Sequence, residues 1–447
     1  MKQPFGKTMH PIVRKFSAEA GLIIALRALA AFMSYLTLVL VARWLPLNDY
    51  GIYGTIMSVI GISAVIVQCG ATQTTIRYLG EYEVTKKPNL ASGIIRYSHR
   101  GVALLSLGTT IVFCILALGL EQVGITPNAL IWIAGLLLLP AFSVVDLQGA
   151  VLRSFNKILP ALLPKDILWR AAVIIIGFLL YLFVPEHERL AYLLLGSAGA
   201  LTLLAVAQHS YQKRTLPDPV QSSKAKFDLK AWWTTTMPIW FLLIARMSFR
   251  TIDVIIVGLL VDPAAAGIYF AASRTSELLG FVLSSLNLIV GPNISRLYAA
   301  RKSEELKKYL ALSSVAVFTP ALFLFLIYCI MPETILSLFG SEFVKGKWVL
   351  ILMAFGQLCN AATGSVGVLL NMSGHEKINA KVMVTVAPIT ALLLFAFTAL
   401  WGIDGAAFAS VGGMIMWNAL LWQAARKHTE YDPSLWGAIT VLKHTSR

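Results

Sequence analysis

Charged residues are scarce in this sequence, and acidic residues are the scarcer sign. Only 13% of the 447 residues are charged, with 22 Asp and Glu against 37 Lys and Arg. Soluble domains carry about a quarter charged residues, so this chain has too few of them to cover a water-exposed surface. The charges lie in short islands between long apolar runs. That pattern argues against nucleic-acid binding, despite the net charge of +15, and is typical of a membrane protein.

Cysteine and catalytic motifs are equally sparse. The four cysteines are far apart in apolar runs and never in CxxC spacing, so we expect neither a disulfide framework nor a zinc site. A P-loop, an HExxH motif and a nucleophile elbow are all absent from the sequence. We therefore predict no catalytic residue, no metal and no cofactor, and a protein that is not an enzyme.

Long apolar runs are what the sequence has instead. A helix needs about 20 mostly apolar residues to cross a bilayer. Twelve runs qualify, near residues 18–42, 52–72, 101–119, 128–150, 166–184, 190–210, 235–260, 267–291, 309–331, 349–372, 381–401 and 404–425. The first run exceeds a signal-peptide core of roughly 7–15 residues, so we interpret it as a retained helix. The sequence predicts an all-α polytopic membrane protein with about twelve transmembrane helices.

Lysine and arginine are distributed unequally over alternate connections. One side holds 28 of them, whereas the opposite side holds only Arg43, Arg189, Lys345 and Lys347. Positively charged loops stay in the cytoplasm, so both termini are predicted to lie in the cytoplasm, with the helices crossing an inner membrane. The connections on the opposite side are short, which leaves no room there for a catalytic domain.

Short sequence matches recur at a spacing near 217 residues. Gly-Ile-Tyr at 51–53 recurs at 267–269, and Arg77 after the second run corresponds to Arg296 after the eighth. Six spans in each copy would give both copies the same orientation, as in transporters built from parallel repeats. The sequence therefore predicts two related halves.

The predicted boundary between the halves is a polar, proline-containing stretch. Residues 212–230 include Pro217 and Pro219 and are interpreted as a cytoplasmic linker. We predict an N-terminal six-helix lobe over 1–211 and a C-terminal six-helix lobe over 231–447, arranged around a central cavity. By analogy of fold, such a pair of lobes suits alternating access.

Charges within the apolar runs mark a candidate site. Arg27 and Arg246 each lie about ten residues into their runs and are 219 residues apart. A charge at mid-bilayer costs about 3 kcal/mol, so each needs a compensating partner. Arg250 shares a helix face with Arg246, and Asp253 is close enough in sequence to pair with Arg250.

We predict a cationic cavity in which Arg27, Arg246 and Arg250 bind a phosphate or pyrophosphate. Asp253 is then a pairing or coupling carboxylate. Arginine suits this task because its planar fork binds two phosphate oxygens at once. The alternative is that these side chains join helices or pair internally.

The remaining charges within runs have a simpler interpretation. Arg274 and Glu277 are three residues apart and are predicted to neutralise each other. Asp146, Asp166 and Arg170 lie near the cytoplasmic ends of their runs, where long side chains can reach water. We expect these three to be structural.

Several stretches resemble a known family. Val41–Gly54 and Asp253–Tyr269 resemble corresponding outer segments of the two halves of the bacterial polysaccharide transporter family. Arg274–Leu310 is similar to that family's connection between spans eight and nine, and Gly340–Leu350 and Gly402–Ala407 add two shorter matches. The family comprises lipid-linked oligosaccharide flippases within the multidrug/oligosaccharidyl-lipid/polysaccharide (MOP) superfamily.

The resemblance implies two six-helix lobes in a V around a central cavity. It also implies an undecaprenyl-pyrophosphate-linked sugar repeat as substrate, moved to the periplasmic leaflet, with membrane lipids, a polysaccharide polymerase and a chain-length regulator as partners. A cation-coupled multidrug antiporter of the same superfamily is the alternative, although antiporters use buried carboxylates. A membrane polymerase or ligase would need a large periplasmic loop. Polar and aromatic residues within runs either face the glycan or pack helices: Tyr35, Gln68, Trp240, Gln357 and Asn360.

Overall fold

The computed structural model describes residues 9–123 and 128–445, and within them every regular element is a helix. Lys2 and Lys7 of the N-terminal tail and Arg447 at the C-terminus support the predicted orientation, but they lie outside the described residues.

The described part of the first half contains ten α-helices. They are α1 (Met9–Trp44), α2 (Leu47–Gln68), α3 (Ala71–Val84), α4 (Pro88–Gln122), α5 (Ala129–Leu136), α6 (Leu138–Ser154), α7 (Ile158–Leu163), α8 (Trp169–Phe183), α9 (Arg189–Thr215) and α10 (Asp218–Ser222). A π-helix at Pro164–Leu168 joins α7 to α8, and a 3-10 helix at Glu186–Glu188 precedes α9.

Eight more α-helices lie in the second half, up to residue 445, where the described residues end. They are α11 (Leu229–Leu260), α12 (Pro263–Ala299), α13 (Ser303–Ile330), α14 (Pro332–Ser337), α15 (Lys347–Ala362), α16 (Val366–Met372), α17 (Glu376–Thr429) and α18 (Leu435–Thr445). A 3-10 helix at Ser341–Gly346 precedes α15.

The predicted apolar runs coincide with these helices. In the described residues, nine helices are long and apolar enough to cross a membrane, and the bent pair Pro263–Asn287 and Val290–Ala299 makes ten. α17 counts once among them although its backbone leaves helical geometry at Trp401 and Gly402. The 32-residue α11, which carries the predicted site charges, adds a further long helix. The predicted all-α polytopic fold of about twelve spans is confirmed.

Residues in left-handed conformation separate two pairs of helices. Cys69 and Gly70, with φ of 45° and 70°, end α2 and turn the chain into α3. Gly402, with φ of 59°, divides α17 where the predicted runs 381–401 and 404–425 meet. Glycine adopts this conformation without the steric cost that a Cβ brings.

The stretch predicted as a linker packs against the first half. The Lys226 backbone N–H donates to the Asn89 carbonyl at 3.0 Å, and the Tyr78 hydroxyl donates to the Ala231 carbonyl at 2.9 Å. Residues 212–230 therefore lie on α3 and α4 before α11 begins its span. The division into lobes at 211 and 231 stays a prediction.

The two halves of the chain meet mainly where α2 packs on α11 and α12. Tyr50 and Ile56 of α2 are fully buried in one apolar core with Val257 of α11 and Tyr269 of α12. This contact leaves the segments of α11 and α12 that lie farther from their connecting turn free to face a cavity shared with α1.

Candidate functional site

A cavity of about 410 Å³ lies between α1 and the helices α11, α12, α15 and α17. Its charged lining consists of Arg246, Arg250, Asp253, Arg274 and Glu277. Three arginines thus face two carboxylates within the membrane-spanning part of the protein. The sequence predicted a cationic cavity, and this lining holds one more basic than acidic side chain.

Arg246 and Arg250 project from one face of α11, one turn apart, and both are exposed to the cavity. Among the described residues, no ion pair includes Arg246.

 Arg246 is therefore the cavity arginine whose charge no neighbouring carboxylate neutralises. Because an unpaired guanidinium within a membrane is costly, this side chain favours an anion in the cavity.

Glu277 binds two arginines from two different helices. Nη2 of Arg250 lies 2.6 Å from Oε2 of Glu277, and Nε of Arg250 donates to Oε1 at 3.3 Å. Nη1 of Arg274 also donates to Oε1. The predicted pairing of Arg274 with Glu277 is confirmed, but Glu277 additionally joins α12 to α11.

Arg250 and Asp253, which the sequence places close enough to pair, form no ion pair with each other among the described residues. Asp253 instead accepts hydrogen bonds from the Tyr269 hydroxyl at 3.0 Å and from the Val254 backbone N–H at 2.9 Å. The same Tyr269 hydroxyl lies 3.0 Å from Oγ of Ser410. A spacing of three residues permits contact on one helix, but here partners from α12 satisfy both Arg250 and Asp253.

Arg27 lies apart from the other predicted site residues. The cavity lining on α1 begins at Ala31 and continues through Tyr35 to Leu38. Arg27 precedes Ala31 by four residues, so it lies on the same helical face one turn closer to the N-terminus. Its side chain is exposed. The structure thus brings Arg246 and Arg250 together in the cavity lining, whereas Arg27 lies outside that lining on α1.

Aromatic side chains close the cavity at the end predicted to be periplasmic. Tyr35, which lines the cavity, packs edge-on against Phe339 with ring centroids 5.8 Å apart. Behind them, Tyr50 contacts Phe343 at 5.3 Å and Phe270 at 5.8 Å. These rings come from both halves of the chain, so together they separate the cavity from that end.

The charges predicted to be structural include one tight pair. Lys165 Nζ lies 2.6 Å from Oδ1 of Asp146 and 3.7 Å from the centre of the Phe142 ring. The Gln68 amide donates to Asp146 at 3.4 Å. Asp146 is therefore neutralised locally, within the first half of the chain.

Some of the polar and aromatic residues that were predicted either to face the glycan or to pack helices line the cavity, and the others join helices. Tyr35, Gln357 and Asn360 line the cavity. Trp240 donates its indole N–H to the Val65 carbonyl at 3.2 Å and so joins α11 to α2. Together with Gln68, it packs helices.

Sequence reasoning missed the role of Glu277 in the cavity. A usable signal was the short turn between α11 and α12, which makes them antiparallel neighbours. Counting back from that turn to Arg250 and forward to Glu277 gives similar depths, ten residues from Leu260 and fourteen from Pro263. Similar depth on adjacent helices identifies a possible partner that spacing along one helix does not.

Two family models match the chain. The model described as "Polysaccharide biosynthesis protein" matches residues 17–298. The model described as "MatE" matches residues 238–396. No curated protein sequence matches the chain significantly.

Solved structures of membrane transporters share this fold. An inward-facing multidrug resistance MATE family transporter of the MOP superfamily has a TM-score of 0.73 at 14% identity, covering 94% of this chain and 96% of that one. The lipid II flippase MurJ, in an inward closed conformation, has a TM-score of 0.71 at 14% identity, covering 91% and 87%. The MATE transporter VcmN of Vibrio cholerae has a TM-score of 0.63 at 16% identity, covering 91% and 95%.

Proposed function

Because the chain belongs to the polysaccharide biosynthesis protein family, within the MOP superfamily of transporters and flippases, we propose that it is a lipid-linked oligosaccharide flippase. Its substrate is a polyprenyl-pyrophosphate-linked oligosaccharide, undecaprenyl in bacteria, which supplies a surface polysaccharide. The observation that carries this proposal is that Arg246, which has no ion pair within the described part of the chain, lies beside Arg250 in a cavity within the membrane.

The pyrophosphate binds at these two arginines. Arg246 and Arg250 are one turn apart on α11, so two linked phosphate groups can each meet one guanidinium. Arginine forks bind phosphate oxygens bidentately, and each hydrogen bond to a charged group contributes about 1.5–3 kcal/mol. Arg27, which lies on α1 one turn before the cavity lining, receives the phosphates as they enter.

The sugar portion contacts the uncharged lining. Gln357, Asn360 and Ser284 offer hydrogen-bonding groups, and Tyr35 and Trp417 offer aromatic surface. A volume of about 410 Å³ suits a pyrophosphate with its first sugar, since small-molecule sites span about 300–1,000 Å³. The remaining glycan and the polyprenyl chain extend beyond this cavity.

Translocation proceeds by alternating access of two lobes, 1–211 and 231–447. The protein lies in the bacterial inner membrane with both termini in the cytoplasm, and the aromatic closure faces the periplasm. The substrate enters from the cytoplasmic leaflet and leaves into the periplasmic leaflet, where a polymerase and a chain-length regulator receive it. No covalent chemistry is required of this chain.

A cation-coupled multidrug antiporter is the second candidate. The MatE match over residues 238–396 and the carboxylate of Asp253 in the cavity favour it. Asp253, however, already accepts a hydrogen bond from the Tyr269 hydroxyl. The lining also has more arginines than carboxylates, and this excess of positive charge repels cationic drugs.

Transport by the purified full chain in vesicles tests the proposal. A fluorescent polyprenyl-pyrophosphate-linked oligosaccharide should cross between leaflets with wild-type protein, and Arg246→Ala should abolish the crossing. Arg96→Ala is the matched control, because Arg96 is an exposed arginine on α4 away from the cavity. If the lipid does not cross but a cationic dye crosses in response to a proton or sodium gradient, the protein is an antiporter.

A further inference from the structure

The carboxylate of Glu277 occupies the side of Arg250 that a phosphate would use. Arg250 offers Nε and Nη2 to the two oxygens of Glu277, at 3.3 and 2.6 Å. Phosphate binding by arginine uses the same kind of two-donor fork. A substrate phosphate can therefore take this fork only when Glu277 releases it.

The three side chains differ in how strongly they are held. The Arg250 side chain is 63% exposed, whereas those of Glu277 and Arg274 are 24% and 14% exposed. Arg274 and Glu277 also lie three residues apart on the same helix, α12. Arg250 is thus the member with the most room to turn, and Glu277 keeps a partner in Arg274 when Arg250 turns away.

Arg246 binds the first phosphate of the substrate beside Arg250. It lies four residues before Arg250 and lines the same cavity without an ion pair of its own among the described residues. A single phosphate satisfied by Arg246 has no need to disturb the pair of Arg250 with Glu277. A pyrophosphate held at Arg246 brings its second phosphate beside Arg250.

We propose that Glu277 is an internal counter-anion that occupies Arg250 in the empty protein and selects pyrophosphate over monophosphate. The substrate's second phosphate replaces Glu277 on Arg250, and Glu277 returns as the substrate leaves. This inference rests on the proposed function and adds the residue that sets its anion specificity. The exchange breaks and forms ion pairs only, so no covalent bond changes.

Binding of inorganic pyrophosphate and inorganic phosphate to the purified full chain tests the inference. Glu277→Gln should bind pyrophosphate about tenfold more tightly than wild type, since one charge-assisted contact no longer has to be broken. Its affinity for phosphate should rise at least as much, because Arg250 is then open to either anion. The preference for pyrophosphate should fall accordingly.

Two further variants separate direct competition from a general change of charge. In an Arg250→Gln background, adding Glu277→Gln should change pyrophosphate affinity less than twofold, because the contested fork is absent. Glu277→Asp keeps the charge and the neighbour Arg274 but shortens the reach to Arg250, so it should also strengthen binding. Glu342→Gln, which removes an exposed carboxylate outside the cavity, is the matched control.

The outcomes distinguish this inference from the function beneath it. Wild-type binding that depends on Arg246 but is unchanged or weakened in Glu277→Gln and Glu277→Asp would overturn the counter-anion role and leave the proposed site intact. An equal gain with and without Arg250 would also overturn it. Absence of pyrophosphate binding in every variant would overturn both.

Discussion

Gly51 of α2 and Gly267 of α12 lie against each other where the two helices cross. A Cβ on Gly267 would be 3.1 Å from the Gly51 nitrogen and 3.3 Å from its Cα. Both glycines begin the Gly-Ile-Tyr sequence that recurs 216 residues apart. The recurring sequence is therefore also a contact between the two halves, at the end that we predict to be periplasmic. Small residues allow helices in membranes to approach this closely.

Replacing Gly51 by alanine should destabilise the protein. The added Cβ would overlap the Pro263 carbonyl oxygen, and backbone atoms cannot rotate away as a side-chain tip can. Overpacking costs about 1–3 kcal/mol, so thermal unfolding in detergent should begin at a lower temperature than in wild type. Gly108→Ala is the control, since no atom lies within 4 Å of its added Cβ. Equal unfolding temperatures for the two variants would show that α2 and α12 can move apart at Gly51 without loss of stability.

Arg43 should help to keep the cavity closed at the end predicted to be periplasmic. Its Nε and Nη2 donate to the Leu338 and Ser337 carbonyls at 2.7 and 2.8 Å, which joins the end of α1 to the C-terminal end of α14. We expect Arg43→Ala to increase several-fold the rate at which an impermeant maleimide, added outside, labels a cysteine placed at Ser34 in a cysteine-free background.

Arg189→Ala is the matched control for that experiment. Arg189 also binds backbone carbonyls, those of Tyr181, Val184 and Trp44, but all of them lie in the first half of the chain. It should leave the labelling rate unchanged. A labelling rate in Arg43→Ala that equals this control would exclude Arg43 from the closure.

Arg246 and Arg27 should differ in what their loss affects. Arg246→Ala should weaken pyrophosphate binding at least tenfold and abolish polysaccharide export in a complementation assay, because one charged contact contributes about 1.5–3 kcal/mol. Arg246→Lys should restore export only in part, since an ammonium lacks the fork. Isothermal titration and surface-polymer staining measure these effects.

Arg27→Ala should slow export with a smaller change in affinity, about threefold or less, because Arg27 lies one turn outside the cavity lining. Membrane levels of each variant are compared with Arg96→Ala. Full export by Arg246→Ala at normal protein level would remove Arg246 from the site.

The topology is open to direct measurement. Reporters inserted within 211–230 or fused after Arg447 should be active as cytoplasmic fusions, because positively charged segments stay inside. Reporters near Pro46 or Pro332 should be periplasmic. A periplasmic signal from the C-terminal fusion would contradict an even number of spans.

The membrane spans and the family could be predicted from the sequence because each is identified by a short, continuous stretch of residues. An apolar run of about 20 residues has few alternatives to a transmembrane helix, and the break in α17 falls at Gly402, where the two predicted runs meet. The cost of a charge in the membrane likewise singles out Arg246 and Arg250 without any knowledge of their neighbours.

The partner of each charge was decided by the tertiary structure. On α11 alone, Asp253 is the nearest acid to Arg250, so the sequence permitted that pair. Packing of α12 against α11 brings Glu277 to Arg250 and the Tyr269 hydroxyl to Asp253. Spacing along one helix determines which contacts are possible, whereas the neighbouring helix offers competing partners whose approach is fixed only when the whole bundle packs.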